Sequence, residues 1–165
     1  KLAGELYGRI FTRSGKLEVA CLRYFNVYGP RQSVTSAYAA VIPIFITRIF
    51  DNKPITIFGD GEQTRDFVFA EDVARANTLA MEAPAAAGEV FNISGDNRIS
   101  LNDLVNDLRH LMRGGEGFEV NYTEPRAGDI KHSRADITKA KDGLGFIPKV
   151  TFSEGLGRTI QAFKG

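Results

Sequence analysis

The chain has 165 residues, 43% of them hydrophobic and 25% charged, which are ordinary values for a globular domain large enough to bury a core. Its 21 Lys and Arg balance 20 Asp and Glu, and no apolar run approaches the roughly 20 residues that cross a bilayer, so we expect neither a nucleic-acid nor a membrane partner. One cysteine excludes an internal disulfide and two distant histidines leave no metal-ligand spacing, so we expect no metal site and a reducing, cytoplasmic location.

A helix is predicted from the first residue, because Leu2, Leu6 and Ile10 recur on one helical face. Ser14-Gly15-Lys16 ends this helix. No capping residue precedes the helix, and the chain begins with Lys1 rather than methionine. We therefore expect the sequence to be a piece of a longer protein.

Residues 18–27 form an almost uninterrupted apolar and aromatic run, which is typical of a strand buried on both faces, with Cys21 as a buried thiol. Asn26 stands near the carboxyl end of this run, just before the turn residues Gly29 and Pro30. Open α/β sheets hold their ligands at that end of their strands. Alternatively, Asn26 satisfies a turn, and the spacing alone favours this simpler interpretation.

The remaining elements are predicted from hydrophobic periodicity and from turn and capping residues. A core-facing helix is predicted over 37–50, with Tyr38 on its apolar face and Pro43 marking its true start. Strands are predicted over 55–58, 90–95 and 118–122, and helices over 71–81, 100–112, 137–144 and 153–163. The predicted N-caps are Ser100, Asp136 and Ser153, and the predicted stop of the 100–112 helix is 114–117.

The run Arg23-Tyr24-Phe25-Asn26-Val27-Tyr28-Gly29-Pro30 resembles the signature of the extended short-chain dehydrogenase/reductases that rework nucleotide sugars, the 4-epimerases and 4,6-dehydratases. Three further blocks resemble the same family in its own order: Lys1–Glu5, Thr64–Asp72 and Pro125–Asp136. The resemblance covers essentially the whole chain. It implies an α/β fold, consisting of the last part of a Rossmann-type parallel sheet plus the small α/β substrate-binding domain.

Residues 1–165 would then be the carboxyl-terminal, nucleotide-sugar-binding region, without the amino-terminal NAD-binding half. The sequence holds neither the glycine-rich loop that binds a dinucleotide nor the catalytic tyrosine of the family. Lys1 resembles the lysine of the family's Tyr-x-x-x-Lys pair, in which the ammonium lowers the pKa of the tyrosine and contacts the cofactor NAD. Tyr24 and the backbone of Val27 would lie beside the nicotinamide ring. Without the resemblance, Lys1 is simply a solvated surface lysine.

The resemblance also implies a binding site for a UDP-sugar. Arg65 and Arg126 would bind the pyrophosphate, and Asp129 would accept hydrogen bonds from the ribose hydroxyls. The other implied ligands are Asn26 at the sugar-proximal phosphate, Val41 against the base and ribose, the backbone of Phe58 at the pyrimidine edge, and Ser133, whose small side chain suits an N-acetylhexosamine. The alternatives are core packing for Val41, a surface ion pair of Arg65 with Asp60, Glu62 or Asp66, and an internal pair between Arg126 and Asp129.

The implied activity is that of an NAD-dependent 4-epimerase of UDP-hexoses or UDP-N-acetylhexosamines, and we expect the piece to have no turnover by itself. Two alternatives stay open: a 4,6-dehydratase or decarboxylase of the same family, and a non-catalytic nucleotide-sugar-binding protein. The resemblance also implies a homodimer formed through the helix that contains Lys1.

Overall fold

The structure, a computed structural model, describes residues 1–33, 40–113 and 117–164. The six α-helices in these ranges are α1 (Leu2–Arg13), α2 (Val41–Phe50), α3 (Ala70–Glu82), α4 (Leu101–Arg113), α5 (Thr138–Leu144) and α6 (Phe152–Phe163), and a single 3-10 turn spans Pro84–Ala86. The eight strands are β1 (Cys21–Tyr24), β2 (Asn26–Tyr28), β3 (Ile55–Phe58), β4 (Thr64–Arg65), β5 (Phe67–Phe69), β6 (Val90–Ile93), β7 (Ile99–Ser100) and β8 (Val120–Thr123). None of the described helices is both long enough and apolar enough to cross a membrane.

Three of the four strand pairs are parallel. β1 pairs with β6, β2 with β5 and β3 with β8 in parallel, whereas β4 and β7 form a short antiparallel pair. Parallel strands need helical crossovers, and helices follow β2, β5 and β7 in the chain. The expected α/β fold with parallel Rossmann-type strands is therefore confirmed.

The strand predicted over 18–27 is interrupted at Phe25, and its two parts pair with different neighbours. Cys21 has intermediate exposure, and Arg23 and Tyr24 are exposed, so the predictions of a strand buried on both faces and of a buried thiol were wrong. The reason lies in the covering helices: Arg23 reaches Glu5 on α1, and Tyr24 reaches Asn77 on α3. Polar contacts, rather than two apolar layers, cover the end of β1.

α1 spans the residues expected for it, but its apolar face is turned away from the sheet. Leu2, Leu6 and Ile10 are between 53% and 65% exposed. The opposite face packs on the chain: Gly8 is buried, and a Cβ built on it would lie 3.0 Å from Val19. The described residues thus leave an unpartnered apolar stripe on α1.

Two hydrophobic clusters form the core. The first joins α2, α4 and α6 to β3 and contains Ile46, Ile57, Leu104 and Leu156, each fully buried. The second joins α5 to β6 and contains Phe91. α2 begins at Val41 rather than at Pro43, which was predicted as its start, and Pro43 lies in its first turn, where proline is tolerated. Tyr38 and residues 114–116 of the predicted helix stop at 114–117 lie outside the described residues.

The predicted helix caps are confirmed at one position and corrected at two. Ser100 and Asp103 exchange hydrogen bonds at the start of α4, as a capping pair should. Asp136 instead accepts from Thr138 N at 2.8 Å, one residue ahead of the N-cap position Ile137. The N-cap of α6 is Thr151, and Ser153 lies inside that helix, because the Thr151 hydroxyl accepts the free backbone N–H of Glu154.

Tyr28 anchors α6 to the strands. Its ring contacts Phe67, Phe69 and Phe152, and its hydroxyl donates to the Phe152 carbonyl at 3.1 Å. Burial raises the pKa of the Tyr28 hydroxyl above its usual range, and the neighbouring Asp72 carboxylate adds to the effect. Tyr28 is therefore a neutral donor at physiological pH.

The close contact between Tyr28 and α6 predicts opposite effects for two glycines of the same helix. A Cβ on Gly155 would lie 2.8 Å from the Phe69 ring and closer still to the Tyr28 hydroxyl, whereas a Cβ on Gly157 would meet nothing within 4 Å. We expect Gly155→Ala to lower the free energy of unfolding by about 2 kcal/mol through overpacking. Gly157→Ala should raise it by about 0.5–1 kcal/mol through helix propensity. Urea denaturation measures both, and equal effects of the two substitutions would contradict this packing.

Candidate nucleotide-binding cleft

A cleft of about 610 Å³ lies between α2, β3 and the loop after β8, which spans residues 124–131. Its described lining consists of Val41, Ile44, Phe45, Arg48, Thr56, Phe58, Gln63, Arg65, Leu101, Arg126, Ala127, Gly128 and Asp129. Five of the predicted substrate-binding residues are among them: Val41, Phe58, Arg65, Arg126 and Asp129. Three arginines against one aspartate give the lining an excess of positive charge, which suits an anionic ligand.

Arg65 is held at the mouth of the cleft by the 124–131 loop. Its Nη1 donates to the carbonyls of Thr64 and Ile130 at 2.9 and 2.7 Å, and its Nη2 donates to Asp129 Oδ1 at 2.6 Å. Arg65 thus pairs with Asp129 rather than with Asp60, Glu62 or Asp66. Because a guanidinium carries five N–H groups, two of them stay without a partner among the described residues.

Arg126 projects from the same loop over the ring of Phe58. Its guanidinium carbon lies 3.8 Å from the ring centroid, which is a cation–π contact. The alternative pairing of Arg126 with Asp129 does not occur, since Asp129 is bound to Arg65. Stacking leaves the N–H groups at the rim of the guanidinium available, so Arg126 and Arg65 both offer donors to one cleft.

β3 presents an open strand edge to this cleft. Ile55 N donates to Glu119 on the β8 side at 3.0 Å, and Gly59 N donates to Thr123 at 2.8 Å. Residues of a parallel strand direct their backbone groups to alternate sides, so the groups of Thr56 and Phe58 point away from β8. Both residues line the cleft. The backbone of Phe58 therefore faces the cleft, as its predicted contact with the pyrimidine edge requires.

Asn26 and Ser133 do not line the cleft. Asn26 Nδ2 donates to the Asp66 carbonyl at 3.0 Å, which links β2 to the start of β5. Ser133 N donates to the Thr64 carbonyl at 3.1 Å. Both residues thus bond to backbone carbonyls of the residues on either side of Arg65. Their ligand contacts stay predictions.

The three residues assigned to NAD do not meet in one pocket of the described chain. Lys1 is exposed at the start of α1, and Tyr24 donates from its hydroxyl to Asn77 on α3 at 2.8 Å. α1 covers the face of β1 that carries Arg23, so Tyr24 lies on the opposite face. The Val27 carbonyl already accepts from Gln32 at 3.2 Å. These residues by themselves do not fit a complete site for the cofactor.

No group of three or more His, Cys, Asp or Glu side chains among the described residues is placed to hold a metal ion.

The roles of two polar residues that line the cleft, Arg48 and Gln63, and of the buried Asp66 beside Arg65 were missed in the sequence. Arg48 resembled an ordinary cation in the last turn of a helix, and Gln63 stood in a turn-like stretch. Asp66 is fully buried, and its carboxylate accepts from Asn97 N at 3.3 Å and from Ala135 N at 3.2 Å. The signal that points to Asp66 is its position directly before the apolar run Phe67–Phe69, because a carboxylate buried at the start of a core strand needs partners.

The fold is that of a Rossmann-type α/β protein, and its cleft is lined by more cationic than anionic side chains. The sequence matches the NAD dependent epimerase/dehydratase family over residues 1–94, and the chain belongs to that family. The family comprises NAD-dependent nucleotide-sugar epimerases, dehydratases and decarboxylases.

Individual relatives extend the similarity over 99% of the chain. A putative UDP-glucose 4-epimerase of Methanocaldococcus jannaschii is 40% identical, and the chain covers 52% of its length. The structure of a Thermotoga maritima UDP-glucose 4-epimerase with UDP-glucose superposes with a TM-score of 0.90 at 43% identity, covering 52% of that chain. A Methanobrevibacter ruminantium UDP-N-acetylglucosamine 4-epimerase, solved with UDP-N-acetylmuramic acid, gives 0.91 at 39% identity, covering 51%. The chain thus spans about half the length of these relatives.

Proposed function

We propose that the chain is the nucleotide-sugar-binding portion of an NAD-dependent UDP-sugar 4-epimerase. The observation that carries the proposal is the convergence of Arg65, Arg126 and Asp129, from two distant parts of the chain, on one cleft. Planar guanidinium groups donate paired hydrogen bonds to phosphate oxygens, and two of them match a diphosphate. Asp129 keeps its second oxygen for a ribose hydroxyl.

The apolar part of the cleft accommodates the nucleoside. Val41 on α2 provides a hydrophobic wall, and the open edge of β3 offers backbone groups to a base. Asn26 would reach the sugar-proximal phosphate, and Ser133 would leave space for an N-acetyl group. Such a site binds the nucleotide tightly and makes few contacts with the hexose. Epimerisation requires this, because the 4-keto sugar must rotate while the nucleotide stays bound.

NAD is the cofactor of the family, and it would supply the acceptor for a hydride. Because Lys1, Tyr24 and Val27 do not form a site by themselves, we assign no step of the reaction to them. The role of Lys1 beside a catalytic tyrosine stays a prediction. The proposed cytoplasmic location is supported by the free thiol of Cys21.

Epimerisation is the preferred reaction because relatives with about 40% identity are described as 4-epimerases. A UDP-N-acetyl-alpha-D-glucosaminuronate decarboxylase of Bacillus cytotoxicus, 34% identical over 90% of the chain, supports decarboxylation as the second candidate. A homodimer through α1 is supported by the exposed side chains of Leu6 and Ile10.

Calorimetric titration tests the proposed ligand. We expect the chain to bind UDP at least tenfold more tightly than uridine, because the diphosphate engages Arg65 and Arg126. ADP carries the same charge with a different base and is the matched control, which should bind at least tenfold more weakly than UDP. Equal affinities for UDP and ADP would show a general anion site and contradict the proposal.

A further inference from the structure

The edge of β3 that faces away from β8 has no neighbouring strand among the described residues, but side chains from outside β3 bond to the backbone at both of its ends. Arg48 donates from Nε to the Pro54 carbonyl at 2.6 Å, and Gln63 donates from Nε2 to the Phe58 carbonyl at 2.6 Å. Both side chains line the cleft. Between them the N–H and C=O of Thr56 and the N–H of Phe58 have no partner among the described residues. The remaining window presents a donor, an acceptor and a donor in that order along the strand.

Each closing side chain also keeps polar atoms unused. Gln63 is 8% exposed, and its Oε1 is buried without a hydrogen-bond partner in the described chain. A buried acceptor left unpaired destabilises the ligand-free protein and marks a place where a partner group is expected. Arg48 uses Nε, so that the Nη donors of its guanidinium stay available on the cleft side of α2.

We propose that Arg48 and Gln63 select the nucleobase of the bound nucleotide. The proposal rests on the proposed function and names the residues that decide which base enters. Arg48 is the specificity-determining residue, donating to an exocyclic carbonyl of the base. Gln63 is a positioning residue: by holding the Phe58 carbonyl it aims the Phe58 N–H into the window.

The chemistry of the window favours an imide. Uracil and thymine present a carbonyl, a ring N–H and a second carbonyl, which complement the donor, acceptor and donor of the strand edge. Cytosine replaces one carbonyl with an amino group and the ring N–H with an acceptor. Its amino group would face a donor of the strand or of Arg48, and an unpaired buried donor lowers affinity. Because a guanidinium only donates, Arg48 cannot adapt to an amino group.

The alternative is that both side chains simply block the edge of β3 against pairing with another strand. Titration of the chain with UDP and with CDP separates the two explanations. We expect the wild-type chain to prefer UDP at least tenfold. Arg48→Met should weaken UDP binding about tenfold and leave CDP binding within about twofold, while Arg48→Lys, which keeps a donor, should be intermediate. Lys53→Met, which removes an exposed cation next to β3, is the control and should leave the preference unchanged.

Amide hydrogen exchange gives a second readout that a purely structural role would not change. UDP should slow exchange at Thr56 and Phe58, and Gln63→Met should reduce the slowing at Phe58 more than at Thr56. An unchanged ratio of UDP to CDP affinity in Arg48→Met, or amides of Thr56 and Phe58 that UDP does not protect, overturns the inference while leaving the proposed function intact. If the wild-type chain binds UDP no better than ADP, the proposed function and the inference fall together.

Discussion

We expect Asp66→Ala to lower the free energy of unfolding by about 3–5 kcal/mol, a larger loss than we expect from any other substitution proposed for this chain. Asp66 is fully buried, and its carboxylate accepts from the backbone N–H groups of Asn97 and Ala135. Alanine leaves these donors without partners in the interior and adds a cavity. Urea denaturation, followed by circular dichroism, measures the change.

The matched control for Asp66 is Asp142, an exposed aspartate on α5. Asp142→Ala should change the free energy of unfolding by no more than about 0.5 kcal/mol. Asp66→Asn keeps one acceptor oxygen and should fall between alanine and the wild type. A loss below 1 kcal/mol for Asp66→Ala would mean that this carboxylate does not hold the two segments together.

Helices and strands with strong periodicity were predictable from the sequence. β3 occupies the predicted residues, and Pro43 lies in the first turn of α2, two residues after its start at Val41, because local patterns decide both features to within a few residues. The interruption at Phe25 was not predictable, since it depends on which strand pairs with each half of the run. The outward orientation of the apolar face of α1 was not predictable either. The spacing of its apolar residues shows that they share one face of the helix, but not whether that face packs against the sheet.

The site was predictable as a set of residues but not as a set of contacts. The resemblance placed Arg65, Arg126 and Asp129 around one ligand, and the structure brings all three to one cleft. Their partners depend on tertiary geometry: Arg65 pairs with Asp129, and Arg126 stacks on Phe58. Arg48 and Gln63 bond to backbone carbonyls six and five residues away, and Asp66 bonds to backbone groups 31 and 69 residues away. None of these hydrogen bonds leaves a periodic signal in a sequence, which is why the three roles were missed.

Three consecutive residues fix the segment that follows β8. Thr64 N donates to the Lys131 carbonyl at 2.8 Å, Arg65 donates to Asp129 and the Ile130 carbonyl, and Asp66 accepts from Ala135. The segment 129–135 is therefore attached along its length to β4 and to the start of β5. Arg65 is one of these attachments and is also the proposed hydrogen-bond donor to the diphosphate, so we expect ligand affinity and loop position to depend on the same guanidinium.

Arg65→Met is accordingly expected to weaken UDP binding at least 100-fold. The substitution removes the proposed charge-assisted hydrogen bonds to the diphosphate, worth about 3 kcal/mol, and releases Asp129 and Ile130 from β4. Arg65→Lys keeps the charge but not the planar fork, so it should recover only part of the affinity. Calorimetric titration with UDP measures the loss, and urea denaturation shows whether the variant stays folded.

Two controls separate loss of the phosphate contact from loss of the loop. Arg126→Met removes the second guanidinium without breaking an attachment to β4, so it should weaken UDP binding about tenfold with little change in stability. Arg9→Met, at an exposed position on α1, should leave UDP binding unchanged. If Arg65→Met binds UDP within twofold of the wild type while Arg126→Met and Arg9→Met behave as expected, Arg65 does not contact a diphosphate in the cleft.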